Sequence, residues 1–131
     1  MAVKRILLAE DDKDDQFFFL DFLKDRTDFK LLPIAENGIE ILEALQQAAD
    51  LDLPDIIILD QNMPKQNGLQ TLHLLKTDSR YRHIPIFLYS TFANEYLLEQ
   101  SQKGGAIMVL NKPSNHEGYD KMMNEILSLI S

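Results

Sequence analysis

Five short apolar runs, each followed by a helix-compatible segment, constrain this 131-residue chain more than any other feature. The runs fall at residues 3–9, 29–35, 56–59, 84–89 and 107–110. Each is long enough for a strand and too short for a buried helix. The segments between and after them, 13–24, 39–49, 69–77, 93–103 and 116–130, carry apolar residues at helical spacing or are helix-compatible in composition. Strand and helix alternating in this way call for a parallel sheet covered by helices on both faces. Ile56-Ile57-Ile58-Leu59 has no polar member and predicts a central strand buried on both sides. Pro33 interrupts the second run; without an N–H it belongs at a sheet edge. An α/β fold with a doubly wound, five-stranded sheet in the order 2-1-3-4-5 satisfies all of this. No second domain and no effector domain is expected in residues 1–131.

Charge and composition exclude several functions. The formal net charge is −8 and no cluster of lysine or arginine occurs. A nucleic-acid binder needs a positive stripe to displace counterions, and an anionic lipid surface would repel this chain. Cysteine is absent, which removes disulfides and thiolate metal sites. No apolar stretch reaches membrane-spanning length and no leader pattern is present, so the expected location is the cytoplasm.

In an open α/β sheet, ligands bind beyond the carboxyl ends of the strands near the point where strand order reverses. The first strand delivers Glu10 and Asp11 there, the third Asp60, the fourth Ser90-Thr91 and the fifth Lys112. Asp12 reads as the N-cap of the first helix rather than as part of the site. Three carboxylates gathered together raise one another's pKa unless they are compensated. One ammonium and one divalent cation bring the charge close to neutral, the condition for burying such groups. An oxygen-only ligand set suits Mg²⁺, with Mn²⁺ as a substitute. Carboxylate, hard cation, hydroxyl and ammonium are the equipment of phosphoryl transfer, with Asp60 as nucleophile.

The segments Ile6-Leu7-Leu8-Ala9-Glu10-Asp11-Asp12, Ile57-Ile58-Leu59-Asp60-Gln61-Asn62-Met63-Pro64, Gly68, Ser90 and Lys112-Pro113 resemble the receiver domains of two-component response regulators. The resemblance runs from the first strand to the last helix and implies a flavodoxin-like receiver fold. It implies that Asp60 is the phosphoacceptor, that Glu10, Asp11 and Asp60 hold Mg²⁺ with the backbone carbonyl of Asn62, and that Ser90 is the switch hydroxyl. Lys112 then contacts a phosphoryl oxygen, and the Lys112–Pro113 peptide is expected to be cis. The implied partners are a sensor histidine kinase or histidine phosphotransfer protein and a downstream protein. A monomer or weak homodimer is expected. The chain departs from the family pattern at Val109, where an aromatic residue often stands three positions before the lysine. Phe92, two residues past Ser90, is expected to shield an acyl phosphate from water.

Three other readings compete. A flavin carrier of the same fold needs donors after the first strand, where Glu10-Asp11-Asp12 would repel a phosphate. A Mg²⁺-dependent phosphatase with an aspartate nucleophile needs a second aspartate two residues on, and that position is Asn62. A degenerate receiver that only binds protein conflicts with the intact acid pair, acceptor and lysine. Among the remaining residues, His73, His83 and His116 lack metal-motif spacing, the methionines read as core filler, and Phe17-Phe18-Phe19 cannot all face one side of a helix.

Overall fold

A computed structural model describes residues 3–130. Strands β1 (Lys4–Ala9), β2 (Phe29–Leu31), β3 (Ile56–Asp60), β4 (Ile86–Ser90) and β5 (Met108–Asn111) alternate with helices α1 (Lys13–Leu23), α2 (Gly38–Gln47), α3 (Gly68–Lys76), α4 (Glu95–Gly104) and α5 (His116–Ile130). All strand pairs are parallel, in the order β2-β1-β3-β4-β5. The expected architecture and edge position of β2 therefore hold. The second strand is shorter than its apolar run: regular pairing stops at Leu31, two residues before Pro33, and resumes only as a bridge between Ala35 and Ala9. A 3-10 turn at Asp50–Asp52 was not legible in the sequence.

Helix starts follow the side chains available. Asp12 accepts from Asp15 N–H, Asn37 from Glu40 N–H, Asn67 from Gln70 N–H and Asn94 from Leu97 N–H, each satisfying a donor that the first turn leaves free. Gly105, at φ 95°, ends α4 in the left-handed conformation that costs glycine nothing.

Strand alternation divides the core in two. Ile6, Leu8, Ile56, Ile58, Phe87 and Tyr89 face α1 and α5, where they pack with Phe19, Phe22, Tyr119, Met123 and Ile126. Leu7, Ala9, Ile57, Leu59, Ile86 and Leu88 face the opposite side with Ile41, Leu45, Leu72, Leu75 and Leu97. Of the three consecutive phenylalanines, Phe19 is fully buried while Phe17 and Phe18 are exposed, as one helix face requires. Met63, Met122 and Met123 fill core space, but Met108 is exposed on the edge strand β5; Met1 lies outside the described residues. No helix among the described residues is long and apolar enough to cross a membrane.

Candidate functional site

The same alternation decides which strand-end residues meet. Asp60 lies beside Tyr89 in the β3–β4 register. Both continue the rows that face α1 and α5, and Glu10 continues the corresponding row of β1. Gly68 permits the turn beneath Asp60: a Cβ there would lie 2.8 Å from the Asp60 carbonyl oxygen.

Glu10 is fully buried and Asp60 nearly so. Lys112 Nζ reaches both, at 2.8 Å from Glu10 Oε1 and 3.2 Å from Asp60 Oδ2, and it also meets Asp15 Oδ2 at 3.0 Å. Oxygens of Glu10, Asp11 and Asp60 lie within 4.8 Å of one another, close enough to share one cation. Asn62 donates its N–H to Asp60 Oδ1 at 3.3 Å, so its backbone wraps the same carboxylate. Above the carboxylates is an open cleft of about 550 Å³, lined by Asp11, Asp15, Asp60, Asn62, Thr91 and Lys112 among others. Lys13 and Glu36 form an ion pair near its rim.

The electrostatics are those of crowded carboxylates. Burial pushes the Asp60 pKa up to about 7 and neighbouring Glu10 adds to the rise, while Lys112 pulls the other way. Burial also works to raise Glu10, but interactions with Asp60, Lys112 and Tyr89 outweigh it and hold Glu10 below its ordinary value. Burial disfavours the Lys112 ammonium, yet Glu10, Asp15 and Asp60 together keep its pKa above the usual lysine range. Burial, with Glu10 alongside, thus favours the protonated form of Asp60 more than in a free aspartate, and one ammonium only partly offsets this.

The sequence-expected residues do not all converge. Glu10, Asp11, Asp60, Asn62 and Lys112 do. Ser90 does not join them: its hydroxyl donates to Phe92 O at 3.0 Å and accepts from Phe92 N–H at 3.3 Å. It lines a neighbouring depression with Asn62, Thr91 and Phe92. One residue beyond Tyr89, Ser90 falls on the opposite row of β4, which accounts for its direction. Thr91 rather than Ser90 borders the cleft. No cis peptide occurs among the described residues, so the expected cis Lys112–Pro113 bond is corrected to trans, the isomer favoured by about 0.5–1 kcal/mol for bonds to proline.

Two participants are not evident from the sequence. Asp15, in the first turn of α1, adds a carboxylate to the neutral balance read from the sequence. Tyr89 donates its hydroxyl to Glu10 Oε1 at 2.5 Å. A tyrosine closing an otherwise apolar strand at the acidic end was the signal available for it, since a buried phenol needs an acceptor.

An oxygen donor set of this composition fits a hard divalent cation. The response regulator receiver domain pattern matches residues 6–124. Response regulator Rcp1 of Synechocystis sp. is 31% identical over 128 residues, covering 95% of this chain and 87% of that protein. The polar-differentiation response regulator DivK of Brucella anthropi is 27% identical over 110 residues, covering 84% of this chain and 85% of its own length. Among solved structures, the phosphorylated cyanobacterial phytochrome response regulator RcpA superposes with TM-score 0.84 at 27% identity, over 98% of this chain and 94% of the other. The Mn(2+)-bound form of Rcp1 gives TM-score 0.79 at 32% identity, over 95% and 92%. Its fold, its acidic site and these likenesses together make the chain a member of the response regulator receiver domain family of two-component signalling.

Proposed function

We propose that this protein accepts a phosphoryl group on Asp60 from a phosphohistidine of a sensor histidine kinase or histidine phosphotransfer protein, in a Mg²⁺-dependent reaction. The observation that carries the reading is the contact of Lys112 Nζ with Asp60 Oδ2 at 3.2 Å beside three carboxylates that converge within 4.8 Å. An Asp60 oxygen attacks phosphorus, the P–N bond to the donor imidazole breaks, and its electron pair returns to the ring nitrogen. Lys112 stands ready to turn from Asp60 to a phosphoryl oxygen. Asp11, Asp60, Glu10 and the Asn62 carbonyl would hold Mg²⁺ or, as a substitute, Mn²⁺. Bound there, the ion would neutralise charge developing on the phosphoryl oxygens. Ser90 would act as the switch hydroxyl only after releasing its hydrogen bonds to Phe92.

The protein is a signalling component rather than a turnover enzyme: the phosphoryl group stays on Asp60 until slow hydrolysis or transfer to another histidine removes it. Output passes through protein contact, with α4, β5 and α5 as the expected surface, in the cytoplasm, from a monomer or weak homodimer. Incubation with acetyl phosphate and Mg²⁺, followed by intact-mass measurement, tests the reading. The mass of one added phosphoryl group is expected with Mg²⁺ and not with a chelator. No addition under either condition would refute it.

A further inference from the structure

Tyr89 has no place in the reaction outlined above, yet it touches two of its groups. It is 1% exposed, and its ring meets Phe19 edge-on. Lys112 Nζ lies 4.9 Å from the ring centroid, over the aromatic face. The hydroxyl donates to Glu10 Oε1, the same oxygen that Lys112 approaches at 2.8 Å. The other oxygen of Glu10 accepts the Asp12 N–H at 3.1 Å. Glu10 Oε1 is thus claimed by one neutral and one charged donor, both on the protein side.

We infer that Tyr89 is a positioning residue for the acidic site: its hydroxyl holds Glu10 Oε1 beside Lys112, so that Glu10 would meet a divalent cation with that oxygen already engaged by two donors. The inference rests on the Mg²⁺-dependent reading of the site. Tyr89 touches neither the cation nor the phosphoryl group; it acts through Glu10. Packing alone asks for the ring, which phenylalanine would supply, and gives no reason for the hydroxyl.

The hydroxyl shares the negative charge of a buried carboxylate. Without it, Oε1 keeps Lys112 alone, the metal-free site loses compensation, and a cation takes up part of what was lost. Tyr89→Phe therefore binds Mg²⁺ more tightly and is less stable when metal-free.

The test is a Mg²⁺ titration by calorimetry of the wild type, Tyr89→Phe, Glu10→Gln and the double variant, with the melting temperature of each. The expected result is a Kd lowered about threefold or more by Tyr89→Phe, and no further change beyond about twofold when the same substitution is made in Glu10→Gln. A low-field hydroxyl proton resonance, present in the wild type and lost in Tyr89→Phe, is expected to move when Mg²⁺ is added. A Kd for Tyr89→Phe within about twofold of wild type or weaker, with only the melting temperature lowered, would mark the hydroxyl as structural and overturn the inference. Equal tightening in the Glu10→Gln background would overturn it as well. A wild type that binds no Mg²⁺ would remove both this inference and the reading beneath it. One that binds Mg²⁺ but takes no phosphoryl group would count against the reading alone.

Discussion

Asp15 Oδ2 lies 3.0 Å from Lys112 Nζ, joining the first turn of α1 to the residue that follows β5. The ammonium proposed above to serve a phosphoryl oxygen is thereby shared among three carboxylates. In the proposed reaction Asp15 would compete with the incoming phosphoryl group for Lys112 and would also repel an anionic donor. Asp15→Asn is expected to speed phosphorylation by acetyl phosphate on the order of threefold, measured under single-turnover conditions. A rate equal to or below wild type would show that Asp15 does not restrain Lys112.

Removing the ammonium itself has a larger effect. Lys112→Ala leaves Glu10 and Asp60 buried without their counter-charge, a loss of about 3 kcal/mol in the metal-free protein. Mg²⁺ replaces part of that charge, so it should raise the melting temperature of Lys112→Ala by more than it raises that of wild type. Equal increments in a thermal melt would contradict the electrostatic account.

The crowded carboxylates also fix a proton balance. Burial and Glu10 raise Asp60 to about 7, so near neutral pH part of the metal-free protein carries a proton there that a divalent cation would displace. A raised carboxyl pKa favours the protonated form below it. Mg²⁺ affinity should accordingly weaken as pH falls through 7 and level off above it. Calorimetry near pH 7 in buffers of different ionisation enthalpy is expected to report net proton release. Binding heats independent of the buffer would exclude a protonated resting site.

Phe92 is 78% exposed and borders the depression that also holds Ser90 and Asn62. In a form phosphorylated on Asp60, a ring at this position would be expected to limit the approach of water from that side. Phe92→Ala should shorten the lifetime of the phosphorylated form about threefold, followed as loss of phosphoryl mass with time. An unchanged lifetime would remove Phe92 from the account.

Much of this was legible in the sequence because strand ends in a parallel sheet are where the apolar runs stop. Glu10, Asp60 and Lys112 each follow such a run, and the structure brings them into contact. The direction of Ser90 was not legible in this way. It depends on the pairing of Asp60 with Tyr89, a one-residue matter of register that puts neighbours on opposite faces. The place of Asp15 is hidden for a different reason. Carboxylates in a first helical turn are explained locally by the helix dipole, and nothing in the sequence shows that α1 starts beside the end of β5. Tyr89 read as one more apolar strand residue because its ring is one; only its hydroxyl belongs to the site.

Chemical trapping shows whether Asp60 carries the phosphoryl group. The protein is incubated with acetyl phosphate and Mg²⁺, reduced with borohydride, digested and sequenced by mass spectrometry. An aspartyl phosphate is reduced to homoserine, so the expected result is homoserine at position 60 and at no other aspartate. Unreduced Asp60 in protein that has gained phosphoryl mass, or homoserine at Asp11 or Asp15 instead, would contradict it.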